Sequence, residues 1–433
     1  MIRTLQDRGV NLGIDVYMEC AITRLLKDGE RVSGALGYWR ETGRFVVFKA
    51  KSIVIATGGI GKAWRITSNS WEYTGDGMAL AYDAGAELMD MEFVQFHPTG
   101  MVWPPGVQGI LVTEAVRGEG GVLRNKDGER FMERYDPEKM ELSTRDVVAR
   151  AIYTEVREGR GTEHGGAYLD ISHKPPEYVK RKLPSMYHQF RELADVDITQ
   201  GPMEVGPTCH YMMGGIRVEA ETAQATVPGL FAAGEAAAGL HGANRLGGNS
   251  LSDLLVFGRR AGLSAAEHAK QSGPVTIDAQ DVLAATREML EPFERPAGES
   301  PYDIHRDLQE AMQNYVGIFR NEDDLKKGLR ELDSLKSRTD DVRVEGSRLF
   351  NPGWHLARDL KAMLTVSEAV ALSALERKES RGAHSRIDYP SYDEEWSKRN
   401  NIIVQRENEM QLNQRATEEM PGELKQILEE KRQ

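Results

Sequence analysis

The sequence has little cysteine and no long apolar run. Its 433 residues include two cysteines, Cys20 and Cys209, which are too few to build a disulfide framework or to ligate an iron–sulfur cluster alone. No apolar run reaches the roughly 18 residues that cross a bilayer, and Met1-Ile2-Arg3 does not begin a signal peptide. We therefore expect a soluble protein of a reducing compartment, whose membrane association, if it has one, depends on another polypeptide.

Basic residues are also fewer than acidic ones. The chain carries 67 acidic and 55 basic residues, a formal net charge of −12, which disfavours nucleic acid as a partner. The histidines His97 and His210 lie in different segments, and no HxxxH spacing occurs, so no metal site is predicted. A chain of this length has room for two or three domains.

The phosphate-binding sequence GxGxxG is absent. Two stretches nevertheless place a glycine turn after a short apolar strand, SIVIATGG at 52–59 and VPGLFAAGE at 227–235. After the second strand, a loop of small residues leads into an apolar-periodic helix, with Asn249 or Ser250 as its N-cap. A strand, a glycine loop and a helix N-terminus together present backbone N–H groups to an anion. The stretch 227–262 therefore indicates an α/β protein with a cofactor site, although an ordinary βα turn has the same pattern.

Two arginines occupy positions that local structure does not favour. Arg145 falls in the first turn of a helix that begins near Ser143 or Thr144, where the positive end of the helix dipole disfavours a cation by about 0.3–1 kcal/mol. Arg245 lies in a glycine-rich loop and has no helix surface to lie along. A cation at such a position indicates that an anion binds in front of it.

Other ionisable residues have structural explanations as well as functional ones. His97 beside a proline and His210 after a strand can each be a structural histidine. Glu114 and Arg117 are three residues apart, which suits a surface ion pair of about 0.2–0.5 kcal/mol. Asp76, at the start of a predicted helix, can be a cap or a cofactor contact. The residues alone leave these alternatives open.

Several short motifs, in order along the chain, resemble the flavoprotein subunit of succinate dehydrogenase and fumarate reductase. They are QFHPTG, LVTEAVRGEGG, STRDVVAR, PTCHYMMGGI, GLFAAGE followed by HGANRLGGNSL, and SRGAHSRIDYP at 380–390. The resemblance extends from the first residue to the end of the last motif. L-Aspartate oxidase and adenylylsulfate reductase share the scaffold, but HYMMGG and ANRLGGNSL are closer to the succinate and fumarate branch.

The resemblance implies an α/β fold with an incomplete FAD-binding Rossmann-like domain, an inserted α+β capping domain and a C-terminal helical bundle. The expected parts of the FAD-binding domain are 1–90 and the return segment 207–275, with the capping domain at 91–206 between them. A helical domain over 276–390 and a charged, loosely packed tail over 391–433 are expected to follow. The family's GxGxxG turn and the histidine that carries covalent FAD are expected upstream of Met1.

The resemblance also implies a role for each candidate residue. The positions that bind the two carboxylates of a four-carbon substrate are matched by His97, Thr113, His210 and Arg245. The catalytic proton donor and acceptor is matched by Arg145, and the relay from it to solvent by Glu114 and Arg117. The FAD contacts are matched by Asp76, Glu235, Asn249, Ser250 and Leu251.

On this resemblance, the chain is expected to interconvert succinate and fumarate by hydride transfer between the dicarboxylate and FAD. Electrons are expected to pass to quinone through an iron–sulfur subunit, with a cytochrome b-type protein serving as the membrane anchor. The expected place is the cytoplasmic side of the cell membrane, reached through these partner subunits. An L-aspartate oxidase-like flavoenzyme and a non-catalytic remnant are the alternative interpretations, and the intact set of candidate residues favours the enzyme.

Overall fold

The computed structural model describes residues 1–407 and 409–430, without the side chains of 428–430. The strands are β1 (Cys20–Asp28), β2 (Arg31–Trp39), β3 (Phe45–Lys49), β4 (Ile53–Ile55), β5 (Leu88–Met89), β6 (Val94–Met101), β7 (Val122–Arg124), β8 (Ala167–Asp170), β9 (Met203–Met212), β10 (Gly215–Ile216), β11 (Leu230–Ala232), β12 (Arg399–Arg406) and β13 (Glu409–Ala416). The α-helices are α1 (Ile2–Asn11), α2 (Asp76–Asp83), α3 (Ala115–Gly118), α4 (Met132–Tyr135), α5 (Arg145–Arg157), α6 (Pro176–Lys182), α7 (Pro184–Ala194), α8 (Asn249–Gln271), α9 (Ala279–Glu294), α10 (Pro301–Tyr315), α11 (Glu322–Thr339), α12 (Pro352–Glu376) and α13 (Gly422–Glu430).

The two predicted strand–glycine units pair with each other. β4 and β11 lie parallel, with Ile53 opposite Leu230 and Ile55 opposite Ala232. Each strand is followed by a glycine with positive φ, Gly58 at 78° and Gly234 at 69°, a backbone conformation that side chains with a Cβ disfavour. Because parallel strands end at the same edge, both glycine turns and the helix α8 that follows β11 meet at one place.

The other named strands of the described residues pair antiparallel and form three sheets, in the orders β1-β2-β3, β10-β5-β12-β13 and β6-β9-β8-β7. The last of these, with α5, α6 and α7, encloses a separate apolar core that includes Leu123, Ile152 and Phe190. This core falls within the segment predicted as the capping domain, although the domain boundaries stay a prediction. The fold is α/β, as expected.

The helical region after residue 276 follows the sequence pattern closely. Asn321 caps α11, and its side-chain Oδ1 accepts a hydrogen bond from the backbone N–H of Asp324 at 2.9 Å. α12 ends at Glu376, and Gly382, with φ of 54°, lies in the loop that follows. None of the helices in the described ranges combines the length and the hydropathy that crossing a membrane requires.

The expectation of a loosely packed tail after residue 391 is wrong for the strand β12. Ile402 and Ile403 of this strand pair with Met89 and Leu88 of β5, and both isoleucines are buried. The high local charge concealed a short apolar run, NIIV at 401–404, which supplies an interior strand of the sheet. The neighbouring Asn408 and residues 431–433 lie outside the described residues.

Candidate active site

Two histidines from neighbouring strands, the buried His97 and the partly buried His210, form the floor of the candidate site. His97 on β6 lies opposite Thr208 on β9, and the imidazole rings of His97 and His210 have centroids 5.2 Å apart. The two histidines are far apart in sequence, but the antiparallel pairing of the two strands places both side chains at the same end of the sheet. The structure therefore brings these two predicted substrate ligands together.

Both imidazoles are held in the neutral form. Burial, with smaller contributions from His210 and Arg145, holds the pKa of His97 well below its usual range. Burial, with help from Arg245 and Arg145, lowers the pKa of His210 to about 3. At physiological pH each ring can therefore act as a neutral hydrogen-bond donor or acceptor and adds no charge to the site.

The two predicted arginines meet at one oxygen. Nη1 of Arg145 lies 3.4 Å from Oε1 of Gln95, and Nη2 of Arg245 lies 3.2 Å from the same oxygen. The amide nitrogen of Gln95 donates to the backbone oxygen of Arg245 at 2.8 Å. Gln95 is fully buried, so it sets the spacing of two cations that come from α5 and from the glycine loop before α8. These guanidinium groups are close enough for both to contact one small dianion.

Arg145 lies at the beginning of α5, as predicted, and Thr144 occupies the N-cap position without a side-chain hydrogen bond. The Nε and Nη2 atoms of Arg145 each lie 2.9 Å from Oε2 of Glu114, the residue before α3. A carboxylate contact from two guanidinium nitrogens offsets the repulsion between the cation and the helix dipole. Arg145 is thus held by a partner from a distant segment, with its Nη1 directed at Gln95.

The three residues of the predicted relay adjoin one another. Nη2 of Arg117 lies 4.0 Å from Oε2 of Glu114, and the exposed fractions of their side chains are 1% and 47%. Burial lowers the pKa of Arg117, whose Nε and Nη2 make no hydrogen bond to the described residues. In this arrangement the carboxylate of Glu114 itself reaches solvent, and Arg117 lies behind it as a buried cation.

Arg245 is positioned by residues that the sequence did not reveal. Its guanidinium carbon lies 4.2 Å from the centroid of the Tyr211 ring, a cation–π contact. Asn244, the preceding residue, donates to Oδ1 of Asp146 at 2.9 Å and accepts from the amide of Gln95 at 2.7 Å. Burial and the nearby Arg145 lower the pKa of Arg245. The loop therefore holds the guanidinium in surroundings that destabilise its charged form.

The beginning of α8 adjoins this cluster. A Cβ added to Gly247 would lie 3.2 Å from Nη2 of Arg145, which places the loop directly over the arginine. Gly248, with φ of 84°, is the N-cap, and neither Asn249 nor Ser250 caps the helix through its side chain as predicted. The backbone N–H groups of Asn249 and Leu251 donate to Leu246 and Gly248, and without a side-chain cap the rest of the first turn can interact with a bound group.

The ends of the parallel strands pack closely around Glu235. Glu235 is partly buried, its Oε1 accepts from the backbone N–H of Met212 at 3.0 Å, and desolvation at this position raises its pKa to about 7. A Cβ on Gly59 would lie 2.3 Å from that Oε1, and a Cβ on Gly234 would lie 2.8 Å from the side chain of Leu254. Glycines thus allow the strand ends, Glu235 and α8 to approach closely. Since GxGxxG is absent, these contacts do not identify a pyrophosphate cradle.

The remaining predicted contacts lie at the margins. Leu251 is half exposed on the first turn of α8. Thr113 follows Val112, whose backbone pairs with Thr99 beside His97. Asp76 begins α2, and its carboxylate lies 3.4 Å from Nη2 of Arg358.

A cavity of about 490 Å³ lies between β1, α2, α9 and α12 rather than at the histidines and arginines. Asp76 faces this cavity. Of the predicted site residues, Asp76 is the one that lines this cavity.

Sequence reasoning missed Gln95 and Tyr211 as parts of the site. Both flank a predicted histidine, in QFH and in CHY, but an apolar strand pattern gives no sign that an amide or a phenol faces an arginine. Only the pairing of β6 with β9 places them under Arg145 and Arg245.

Two family models and many known proteins match this chain. The FAD binding domain family matches residues 1–251, and the fumarate reductase flavoprotein C-terminal family matches residues 305–427. A fumarate reductase (CoM/CoB) subunit from Methanothermobacter marburgensis is 46% identical over 412 residues, which are 95% of this chain and 74% of that protein.

Solved structures give the same result. Mycobacterium smegmatis Sdh1 in complex with UQ1 is 53% identical with a TM-score of 0.85, and the match covers 97% of this chain and 71% of that one. FrdA of the quinol fumarate reductase of E. coli is 34% identical with a TM-score of 0.91, covering 97% and 75%. The chain belongs to the flavoprotein subunit family of succinate dehydrogenase and fumarate reductase, and it is an FAD-dependent oxidoreductase.

Proposed function

We propose that this chain interconverts succinate and fumarate and passes the electrons to an iron–sulfur subunit. The observation that carries the proposal is the meeting of Arg145 and Arg245 at the side-chain oxygen of Gln95, beside the neutral His97 and His210. Two fixed cations beside neutral hydrogen-bonding groups suit a small dianion better than a monoanion or a neutral molecule.

Substrate binding follows from the charges of this cluster. The guanidinium groups of Arg145 and Arg245 would each donate to a carboxylate oxygen, while His97, His210 and Thr113 would supply neutral hydrogen bonds. Burial at the site lowers the pKa of both histidines and of Arg245, and charge–charge attraction is stronger in such surroundings than in water. Holding both ends of the diacid fixes the position of the carbon–carbon bond between them.

FAD, when bound, accepts or supplies the hydride in this chemistry. Glu235, with its raised pKa, and the uncapped N-terminus of α8 are the groups of this chain that would hold it. Because Gly247 lies next to Arg145, FAD held at the N-terminus of α8 would lie beside a substrate held by the arginines. The chain thereby positions the two reactants and restricts the access of water to them.

The proton is proposed to move through Arg145. An arginine side chain stays protonated far above neutral pH, so a neutral arginine does not accumulate and the proton transfer must be concerted with resupply. Glu114 contacts two nitrogens of Arg145 and is half exposed, so it can exchange protons with solvent. Arg117, a buried cation, lies 4.0 Å from the same carboxylate.

Electron partners are proposed from chemistry and from relatives. Two cysteines cannot ligate a cluster alone, and no group of three or more potential metal ligands occurs in the part of the chain that the structure describes. One similar structure is a complex with UQ1, another is a quinol fumarate reductase, and the name of the Methanothermobacter relative includes CoM/CoB. The proposed immediate acceptor is an iron–sulfur subunit, and quinone, bound with a cytochrome b-type membrane anchor, is proposed to lie beyond it.

The test is a comparison of substrates on the FAD-loaded protein with an artificial electron acceptor or donor. Succinate oxidation and fumarate reduction should proceed, and L-aspartate should give at most about one hundredth of the succinate rate, since its ammonium group would enter beside the two arginines and like charges in contact cost several kcal/mol. Turnover of L-aspartate at a comparable rate, or FAD-loaded protein inert to succinate and fumarate alike, would refute the proposal.

A further inference from the structure

The segment before α2 packs along β9 where that strand carries His210. The backbone N–H of Ser68 donates to the carbonyl oxygen of Cys209 at 2.9 Å, and the amide of Asn69 donates to the carbonyl oxygen of His210 at 3.0 Å. The backbone N–H of Cys209 in turn donates to the carbonyl oxygen of Ile66 at 3.0 Å. His210 is therefore fixed by a segment that contributes none of the residues considered so far.

The hydroxyl of Ser68 has two acceptors within reach. Its Oγ lies 2.8 Å from Nδ1 of His210 and 3.2 Å from the carbonyl oxygen of Cys209. That carbonyl already accepts from the backbone N–H of Ser68 and from Oγ1 of Thr67 at 3.1 Å, which uses both of its lone pairs. The single proton of the Ser68 hydroxyl is thus best placed on the bond to Nδ1.

We propose that Ser68 is a positioning residue that fixes His210 as the tautomer with its proton on Nε2, so that this N–H donates to a substrate carboxylate. The inference rests on the proposed dicarboxylate function. Nε2 lies on the ring edge remote from Ser68, and it makes no hydrogen bond to a described residue. With the opposite tautomer, an Nε2 lone pair would face the anion and oppose binding.

The protonation state of His210 makes the choice of tautomer matter. Burial and the two arginines lower its pKa to about 3, so the ring is neutral at working pH and carries one N–H rather than two. A neutral imidazole needs a partner on one nitrogen to select which nitrogen keeps the proton. The side chain of Ser68 is the partner that this structure provides.

The first measurement is decided on the wild-type protein. Two-dimensional ¹H–¹⁵N correlation spectra of the histidine-labelled, FAD-loaded protein report the tautomer of each ring, and His210→Gln assigns the signal. We expect the Nε2–H form for His210 in the wild type and a mixture in Ser68→Ala. The Nδ1–H form in the wild type would overturn the inference, whether or not any variant folds.

The second measurement is the binding of malonate, a diacid that cannot be oxidised to an alkene. Ser68→Ala should weaken malonate binding by about tenfold, the usual worth of one hydrogen bond to a charged group, and raise KM for succinate more than it lowers kcat. Ser68→Thr, which keeps the hydroxyl, should restore both quantities. Ser70→Ala, an exposed serine two residues on, is the control. Unchanged affinity in Ser68→Ala would overturn the inference.

The outcome is separable from that of the proposed function. A protein that binds malonate, shows the Nε2–H form and responds to Ser68→Ala, but does not turn over succinate or fumarate, would refute the proposed reaction and leave Ser68 as the group that orients His210.

Discussion

Arg145 shows how a residue can be locally unfavourable and still be well held. The helix dipole at the beginning of α5 opposes its charge by up to about 1 kcal/mol. The contact of two guanidinium nitrogens with Glu114 at 2.9 Å, a residue from a distant segment, supplies charge-assisted bonds that exceed this cost. A cation in this position is fixed in direction, and it needs no motion to meet a substrate.

We predict that Arg145→Gln abolishes turnover and largely spares binding. Glutamine keeps a hydrogen-bond donor but cannot transfer a proton, so kcat for fumarate should fall by at least about a hundredfold, the lower end for loss of a general acid. The dissociation constant for malonate should rise by no more than about tenfold, because Arg245 and the histidines remain. Stopped-flow flavin oxidation and calorimetry measure the two quantities.

The matched control is Arg157→Gln, an exposed arginine in the last turn of the same helix, which should leave both quantities unchanged. Normal single-turnover rates together with lost malonate binding in Arg145→Gln would assign Arg145 to binding alone.

At the scale of elements, strand β12 contributes more to the fold than its charged surroundings suggest. Arg399–Arg406 lies between β5 and β13, and Asn401 donates its side-chain amide to Oε1 of Glu92 at 3.1 Å. Its residue Ile403 belongs to the large apolar core, whose members come from both halves of the chain. Residues far apart in sequence are joined here by backbone ladders and by one buried amide.

We predict that Ile403→Ala lowers the free energy of unfolding by about 2–5 kcal/mol, because the side chain is fully buried and its removal leaves a cavity. Val404→Ala, at the next residue of the same strand and only partly buried, should cost less than about 1.5 kcal/mol. Urea denaturation followed by tryptophan fluorescence measures both. Equal, small effects would show that the strand is peripheral to the folded core.

At the scale of the whole molecule, one buried ionic cluster joins the C-terminal part of the chain to its first half. Arg377, just after α12, contacts Glu92 and Glu379 through its guanidinium nitrogens and lies 3.6 Å from Oδ1 of Asp90. Burial, together with the neighbouring Glu92, raises the pKa of Asp90 to about 7. The carboxylates of this buried cluster depend on Arg377 for compensation of their charge.

We predict that Arg377→Met lowers the free energy of unfolding by about 3–5 kcal/mol, since it leaves buried carboxylates without their cation. Lys378→Met, at the adjacent exposed position, should change it by less than about 0.5 kcal/mol. The loss in Arg377→Met should be smaller at pH 5 than at pH 8, because Asp90 takes up a proton below a pKa of about 7 and then needs no cation. A loss that does not depend on pH would contradict this account.

The sequence alone determined the class of fold and most elements of local structure. Apolar periodicity and glycine turns depend on neighbours in the chain, so the two strand–glycine units that form β4 and β11 and the helices that begin near Thr144 and Asn249 could be predicted. The order of the motifs was enough to indicate the family and FAD. The unfavourable locations of Arg145 and Arg245 also marked them as functional candidates, because local electrostatics can be read from sequence.

Only the tertiary structure decided what these residues face. Gln95 between the arginines, Tyr211 beneath Arg245 and Ser68 behind His210 are contacts between distant segments, and no local pattern encodes them. The burial of β12 was missed for the same reason, since a charged stretch conceals an apolar run until a partner strand covers it. Side-chain chemistry is written in the sequence, but the protonation state, spacing and direction of each group depend on the strands and helices packed around it.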